Sequence, residues 1–275
     1  MAAHVGDGAV GMALGMWRLA AGRATALSAL LAVGLLSGCA STADEARAEA
    51  NDPLEIPNRF VFALNETVDT FVLRPAAVTY RDWMPEPGKI MVRNLLDYLA
   101  SPVILANDVF QGEWERAGVT SKRFFLNSFS AGLYDIAALE GYDKHSEDFG
   151  QTLAVYGVPE GPYLVLPLIG PSNPRDAVGF VVDMALDPLN WYAHNTDREW
   201  IGYSRAGANA IDARARSIEA LDDVKANNFD YYAAIRSLYR QRREAAIRNN
   251  RAAEADATTS PFRDFVPGGR DARTK

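Results

Sequence analysis

Two glycine-containing patterns come close to known catalytic or cofactor motifs. The segment 202–206, GYSRA, approaches the GxSxG nucleophile elbow, which places a serine on a turn between a strand and a helix. Here alanine replaces the second glycine, and the serine falls where apolar residues recur at helical spacing. Gly6, Gly8 and Gly11 satisfy GxGxxG, but no strand pattern precedes them. We therefore predict neither a serine hydrolase nor a dinucleotide site, and we interpret the chain as a protein that is not an enzyme.

The histidines are the remaining candidates for acid–base or metal chemistry. His194 lies between Asp187 and Asp197, and His145 lies in the polar segment 143–148. A cation site is conceivable over 143–148, but the segment lacks the ordered oxygen-ligand spacing of an EF-hand. With three histidines and one cysteine, the chain also has no Cys/His zinc pattern. We interpret both histidine segments as solvated loops and predict no metal.

The single cysteine, Cys39, is the residue best placed for covalent chemistry. It follows the sequence LSG, directly behind an apolar run over 24–36 that Arg18 and Arg23 precede. The run has the length of a signal-peptide core and is too short to cross a bilayer as a helix. The whole arrangement resembles the bacterial lipobox, in which the thiol is diacylated and the chain is cut just ahead of it.

The lipobox divides the start of the chain into two parts. We predict a lipoprotein signal peptide over residues 1–38 and a lipidated tether over residues 39–51. The expected modifications are covalent diacylglyceryl and acyl groups on Cys39, and no other cofactor is predicted. Ala40 follows the cysteine in place of Asp, so the resemblance implies the outer membrane.

Composition and charge restrict the class of protein. The chain has 275 residues, 48% of them hydrophobic and 23% charged, which is enough apolar material for a folded domain. Lys and Arg number 28 against 35 Asp and Glu, giving a formal charge of −7. A nucleic-acid-binding domain needs clustered positive charge to neutralise phosphates, so we predict no nucleic-acid partner. One cysteine excludes an internal disulfide.

The elements that position these residues are predicted to be amphipathic helices. We expect a first helix to end at Arg74-Pro75, because the residue before proline avoids the α region, and a later one to end at Ser101-Pro102. Gly112 and Gly157 are expected at helix C-termini. We also expect one helix capped by Asp148 and another that is capped by Ser172 and begins at Pro174. Small and apolar residues recur at helical spacing over 201–218 and predict a seam that packs against a neighbouring helix. A last helix is expected over about 229–249.

These patterns predict an all-α protein: a helical domain over 52–249, a polar tail over 250–275 that is disordered, and no sheet of consequence. The segment 161–171 is an exception, because three prolines keep it extended and irregular. Its apolar residues, Leu166 and Ile169 among them, must be covered by protein or by lipid. No stretch after Cys39 approaches 18 apolar residues, so membrane contact is expected from the lipid and from amphipathic helices.

Several separate blocks of the chain resemble the MlaA (VacJ) family of outer-membrane lipoproteins. The similarity runs from Asp52 to about Trp191. The blocks are DPLE at 52–55, NR at 58–59, LRP at 73–75, YRD at 80–82, ND at 107–108, QG at 111–112, RF at 123–124, NS at 127–128, DFGQTL at 148–153, YGV at 156–158, GPY at 161–163, LP at 166–167, GPS at 170–172 and RD at 175–176.

The resemblance implies a ring-like bundle of helices in the inner leaflet of the outer membrane, on the periplasmic side, around an amphipathic channel. Such proteins remove mislocalised phospholipids from the outer leaflet and pass them to a periplasmic carrier, which maintains lipid asymmetry, and they lie beside trimeric porins. The alternative is a structural lipoprotein that scaffolds a porin or carrier and moves no lipid. A continuous polar opening through the helices would favour the channel.

The blocks of the resemblance also supply candidate lipid-binding residues, namely Arg59, Arg74 and Arg175, beside the apolar Leu166 and Ile169. A guanidinium can hold two phosphate oxygens at once, so the arginines are candidates for lipid headgroup contacts. The alternative is that they pair with Glu55, Asp82 or Asp176 and fix the loops.

Residues 229–251 are basic, with six arginines against two acidic residues. They predict either a solvated helix face or a dock for an acidic partner or anionic headgroups.

Overall fold

The computed structural model describes residues 51–248, so the predictions for the signal peptide, Cys39, the tether up to residue 50 and the tail over 250–275 lie outside the described residues. The described part is all-α apart from one short hairpin, which confirms the predicted fold class. In chain order the elements are α1 Glu55–Val68, a π-helical turn Asp69–Leu73, α2 Arg74–Trp83, α3 Glu86–Gln111, α4 Trp114–Ser128, α5 Ile136–Leu139, α6 Phe149–Val155, β1 Leu164–Leu166, β2 Gly170–Ser172, α7 Pro174–Leu186, α8 Pro188–Asn195, α9 Trp200–Arg216, α10 Ile218–Asn227 and α11 Tyr231–Ile247.

The first helix does not end at Arg74-Pro75, and that prediction is wrong. The π-helical turn carries the chain from α1 into α2 without a break, and the Arg74 amide donates to the Asp69 carbonyl five residues back. Pro75 then occupies the first turn of α2, where an amide hydrogen is not required. The wider turn therefore removes the clash that would otherwise stop the helix.

The predicted helix end at Ser101-Pro102 is also wrong, because Pro102 lies inside the 26-residue helix α3. Its missing amide costs one backbone hydrogen bond, which the packing of α3 against α4, α6, α7 and α9 outweighs. The C-terminal end of α3 matches its prediction. Pro87 occupies the first turn, and Gly112 ends the helix in the left-handed region at φ 74°.

The caps of the shorter helices follow side-chain chemistry. Asp148 accepts a hydrogen bond from the Gln151 amide at 2.9 Å, as predicted, and Gly157 follows α6 at φ 82°. Helix α7 is capped by Asn173, whose Oδ1 accepts from the Asp176 amide at 2.8 Å, and not by Ser172. Ser172 is instead the last residue of β2, so its hydroxyl is not placed to cap the helix.

The proline-rich segment forms an antiparallel hairpin in which Leu164, Val165 and Leu166 pair with Ser172, Pro171 and Gly170. The prediction of an extended segment is confirmed. Asn65 of α1 holds the turn, because its Nδ2 donates to the Leu166 carbonyl at 2.9 Å and its Oδ1 accepts from the Leu168 amide at 2.8 Å.

The distribution of apolar and polar residues is unusual for a globular domain. The buried apolar residues are few, and most are alanines such as Ala77 and Ala137. Large polar side chains are fully buried, Asn107, Asp108 and Asp212 among them. Large apolar side chains are instead exposed on the helices, at helix ends and at the hairpin turn: Ile56, Phe60, Phe71, Trp83, Trp114, Phe125, Phe129, Leu139, Tyr156, Leu168, Val181, Trp200 and Tyr203.

Within residues 51–248, no helix is both long enough and apolar enough to span a membrane. The seam predicted over 201–218 is only partly internal. Ala215 and Ile218 are buried against Ala77, whereas Ser204 is exposed. The last helix, α11, packs on the hairpin and on α6. The C-terminal end of the described domain therefore contacts elements from the middle of the sequence.

Candidate functional site

Three cavities lie next to one another among the helices, with volumes of about 970, 410 and 240 Å³. Ser146 lines all three, and Lys144 and His145 line both of the larger two. The segment 144–146 therefore forms a shared wall at the point where the cavities meet. These spaces are the best candidate for a passage through the described domain.

The largest cavity is amphipathic. Leu221 of α10 and Ile235 and Leu238 of α11 form an apolar side. Arg116 of α4 and Arg242 of α11 bring charge to its lining. A space with both kinds of wall suits a ligand with an apolar body and a charged end.

His145 is not in a solvated loop, and that interpretation is wrong. Its Nε2 lies 3.0 Å from both carboxylate oxygens of Asp108, which is fully buried, and 3.2 Å from the Thr120 hydroxyl. Arg116 and Glu147 complete the cluster, with 2.5 Å between guanidinium and carboxylate, and burial raises the pKa of Glu147. The contacts with α3 and α4 hold the 144–146 wall in place.

Among the described residues, no group of three or more His, Cys, Asp and Glu side chains is placed to hold a metal. The other two motifs considered for chemistry are also accounted for. Ser204 lies on helix α9 and not on a strand-to-helix turn. His194 is exposed, as expected, but it lies in helix α8 and not in a loop, 3.7 Å from Glu199. Asp187 caps α8 and pairs with Arg205.

The three arginines from the resemblance lie in different environments. Arg175 is nearly buried, and its Nε lies 3.1 Å from Asp176, as the pairing alternative predicts. Arg59 pairs with Glu55 at 2.7 Å and also with Asp230 at 2.5 Å.

Arg74 pairs with Asp222 at 2.7 Å and not with Asp82, whose carboxylate accepts from Arg81. None of these three arginines lines any of the three cavities described above. Their contact with lipid stays a prediction.

The apolar candidates Leu166 and Ile169 lie in the hairpin. Leu166 is half-buried at the end of β1, and Ile169 is exposed at the turn beside Leu168, which is 77% exposed. Leu168 has φ 63°, a left-handed conformation that a leucine rarely adopts. The turn therefore presents apolar side chains outward from a backbone that Asn65 fixes.

The basic last helix is solvated in part, because Arg240, Arg242 and Arg248 are exposed, but its other two described arginines pair inside the domain. Arg236 pairs with the fully buried Asp52 at 2.6 Å, and Arg243 lies 2.5 Å from Asp148 and 2.7 Å from Asp176. Tyr232 and Tyr239 donate to two of the same carboxylates. Arg236 therefore holds α11 against Asp52, near the start of the described domain, and Arg243 holds it against the N-terminal ends of α6 and α7.

A further cluster in the 410 Å³ cavity was not predicted from the sequence. Arg93 of α3 and Arg216 of α9 both line this cavity, and both approach one buried carboxylate, Asp212. The only sequence signal was the alternation of charged residues with small ones near the end of α9, which is common in exposed helices.

Comparison with known proteins identifies the family. A family model described as MlaA lipoprotein matches residues 50–246, which is most of the chain. The chain belongs to the MlaA lipoprotein family. It is 32% identical over 241 residues to the Haemophilus influenzae intermembrane phospholipid transport system lipoprotein MlaA, covering 84% of this chain and 93% of that protein.

Other MlaA relatives and a solved structure agree. The Escherichia coli K12 protein of the same name is 33% identical over 228 residues, covering 79% of this chain and 87% of its own. An uncharacterized protein of Rickettsia prowazekii is 36% identical over 202 residues, covering 72% and 79%. A structure reported under "Structural basis for maintenance of bacterial outer membrane lipid asymmetry" superposes with a TM-score of 0.62 at 32% identity, covering 70% of this chain and 96% of that one.

Proposed function

We propose that this MlaA-family chain is anchored to the inner leaflet of the outer membrane through Cys39 and removes mislocalised phospholipids from the outer leaflet. It passes them to a periplasmic carrier, and a trimeric porin beside it gives it access to the far leaflet. The observation that carries the proposal is the run of adjoining cavities that share Ser146, in a protein whose relatives are named for phospholipid transport.

The cavities supply what a phospholipid needs in transit. A charged headgroup loses hydration free energy if it enters hydrocarbon without polar partners, and the polar walls around 144–146 replace water there. The apolar side of the largest cavity offers a surface for acyl chains. A space of this kind favours transport over scaffolding alone.

The exterior supports placement in a single leaflet. Large apolar side chains cover the outside of several helices, Phe60 and Trp83 among the most exposed at 74% and 84%. No helix over 51–248 spans a bilayer, so these faces have to meet lipid from one side or meet a partner protein. The turn at Leu168 and Ile169 adds to the same apolar exterior.

Blocking the shared wall tests the transport proposal. Ser146→Phe places a large side chain where the three cavities meet, and Ser204→Phe adds the same side chain to an exposed position on α9. In a strain that depends on this chain, we expect Ser146→Phe to raise outer-leaflet phospholipid and detergent sensitivity, with unchanged thermal stability and unchanged copurification of a porin. Ser204→Phe should behave as wild type.

The same experiment separates transport from scaffolding. If Ser146→Phe is stable and keeps the lipid barrier intact, the passage does not carry lipid and the chain acts as a scaffold.

The anchor has its own test. Cys39→Ser should prevent acylation, leaving the protein outside the outer-membrane fraction or as an uncut precursor. An unlipidated wild-type protein that begins at another residue, found by mass spectrometry, would contradict the proposed anchor.

A further inference from the structure

Two guanidinium groups share one buried carboxylate beside the 410 Å³ cavity. Asp212 is 1% exposed and accepts hydrogen bonds from the Arg216 Nε at 2.9 Å and from the Tyr80 hydroxyl at 3.1 Å. The Nε of Arg93 lies 3.7 Å from the same carboxylate and is buried without a hydrogen-bond partner. One negative charge thus faces two positive ones.

The other charged groups of this cavity occur in matched pairs. Arg123 holds Asp135 through two hydrogen bonds of 2.9 and 2.8 Å, and Lys144 lies 2.9 Å from Asp97. His145 lies 3.0 Å from the carboxylate of Asp108. The excess positive charge of the lining therefore comes from Arg93 and Arg216, and it amounts to one unit.

The two guanidiniums remain available to a ligand. The side chain of Arg216 is 51% exposed and that of Arg93 is 29% exposed, although Asp212 behind them is buried. A guanidinium whose Nε faces a carboxylate keeps its two terminal nitrogens for a second oxyanion, and phosphate oxygens match their spacing. The buried aspartate thus positions both arginines, and both line the cavity.

We propose that the 410 Å³ cavity is a binding site for a phosphodiester anion, held by Arg93 and Arg216 with Asp212 as their positioning residue. A phosphodiester carries a single negative charge, which balances the single excess charge of the cluster. Because the cavity shares 144–146 with the larger amphipathic one, a phospholipid held here by its phosphate has room for its acyl chains along the apolar side. The lipid source of the phosphate rests on the proposed function, and the anion site itself does not.

The test is lipid binding by the full-length lipoprotein purified in detergent and stripped of lipid. The variants are Arg93→Gln, Arg216→Gln and Arg216→Lys, with Arg248→Gln as a control because Arg248 is exposed and pairs within its own helix with Glu244. The probes are phosphatidylglycerol, diacylglycerol with the same acyl chains, and inorganic phosphate. Thermal unfolding is measured for each variant to check that it folds. In every variant the carboxylate of Asp212 still has the Tyr80 hydroxyl and at least one guanidinium as partners.

We expect each Gln variant to weaken phosphatidylglycerol binding by about tenfold, the size expected for losing one charge-assisted contact. Arg216→Lys should lie between, because it keeps the charge and loses the paired donors, and Arg248→Gln should match wild type. Diacylglycerol should bind weakly and equally to all variants.

Two results would overturn the site: stable Gln variants that bind phosphatidylglycerol as wild type does, or wild type that binds diacylglycerol as well as phosphatidylglycerol. Inorganic phosphate competing at equal affinity would overturn the lipid source and assign the site to free phosphate. The proposed function fails separately, if wild type binds phosphatidylglycerol but the Ser146→Phe strain keeps its lipid barrier.

Discussion

Arg243 shows how single residues hold this domain together. Its guanidinium lies between Asp148, the cap of α6, and Asp176 in the first turn of α7. Both carboxylates lie near helix N-termini, where the backbone amides already favour negative charge. One side chain of the last helix thus fixes the starts of two helices that lie far from it in the chain.

The pH dependence of stability tests this contact. Burial alone would raise the pKa of Asp148, but the hydrogen bonds and charge of Arg243 outweigh it and hold that pKa below its usual range. The stabilisation is therefore present above the ordinary carboxyl pKa and is lost as the pH falls through the lowered one. We expect Asp148→Asn, which can still cap α6, to lose about 1–3 kcal/mol of unfolding free energy at pH 7. The loss should shrink below about pH 4, measured by denaturant unfolding at each pH. A constant difference across this range would contradict the argument.

The arginines from the family resemblance differ in what their removal should do. Arg175→Ala removes a nearly buried guanidinium that bonds Asp176 and the Val158 carbonyl, so we expect about 2 kcal/mol of lost unfolding free energy. Arg74→Ala removes an exposed ion pair with Asp222, so the unfolding midpoint should barely move. If Arg175→Ala is as stable as Arg74→Ala, its role is not structural and the headgroup prediction gains support.

Sequence reasoning reached the residues whose partners are local and missed those whose partners are distant. The cap at Asp148 and the stop at Gly112 depend on neighbours within a few positions, and both were predicted. The pairing of Arg74 with Asp222, and the approach of Arg93 and Arg216 to Asp212, depend on which helices meet. A local sequence pattern does not indicate which helices pack against each other.

At the scale of elements, the two errors on helix ends come from the same proline rule but have different physical reasons. The rule considers only the local chain, whereas α3 continues through Pro102 and packs against α4, α6, α7 and α9. Before Pro75, the π-helical turn lets the helix continue because it changes the hydrogen-bonding register of the backbone. Tertiary packing and a local change of register can each outweigh a single lost hydrogen bond.

The crossing of α6 and α7 offers a test at this scale. A Cβ on Gly179 would lie 2.3 Å from the Gly150 amide nitrogen, so the two helices touch backbone to backbone there. We expect Gly179→Ala to cost about 1–3 kcal/mol in thermal or denaturant unfolding, because the helices must move apart. Gly207→Ala on α9 is the matched control, since its Cβ meets nothing, and it should stabilise by up to about 1 kcal/mol. Equal effects at both positions would exclude the close crossing.

At the scale of the whole molecule, the described domain buries many polar side chains and leaves many large apolar side chains exposed. All four tryptophans within residues 51–248, at positions 83, 114, 191 and 200, are more than half exposed. A water-soluble domain seldom leaves so much aromatic surface uncovered. The arrangement suits a protein whose outside meets acyl chains or another membrane protein.

Tryptophan fluorescence tests this arrangement. We expect the emission of the lipoprotein to move to shorter wavelength on transfer from a mild detergent at low concentration to phospholipid vesicles, and brominated lipids to quench it. Trp83→Phe should reduce the quenched fraction more than Trp191→Phe, because Trp83 is 84% exposed and Trp191 is 58% exposed. Emission that brominated lipids leave unchanged would show that these faces do not meet the bilayer.

The polar interior also determines how the domain responds to temperature. Exposing apolar surface raises the heat capacity of a protein and exposing polar surface lowers it, so a domain stabilised by buried carboxylates, amides and guanidiniums gains little heat capacity when it unfolds. Its unfolding heat capacity per residue should fall below the usual value of about 12–15 cal/mol/K. The plot of unfolding free energy against temperature is then less curved, so cooling should cost this domain less stability than it costs an ordinary globular domain.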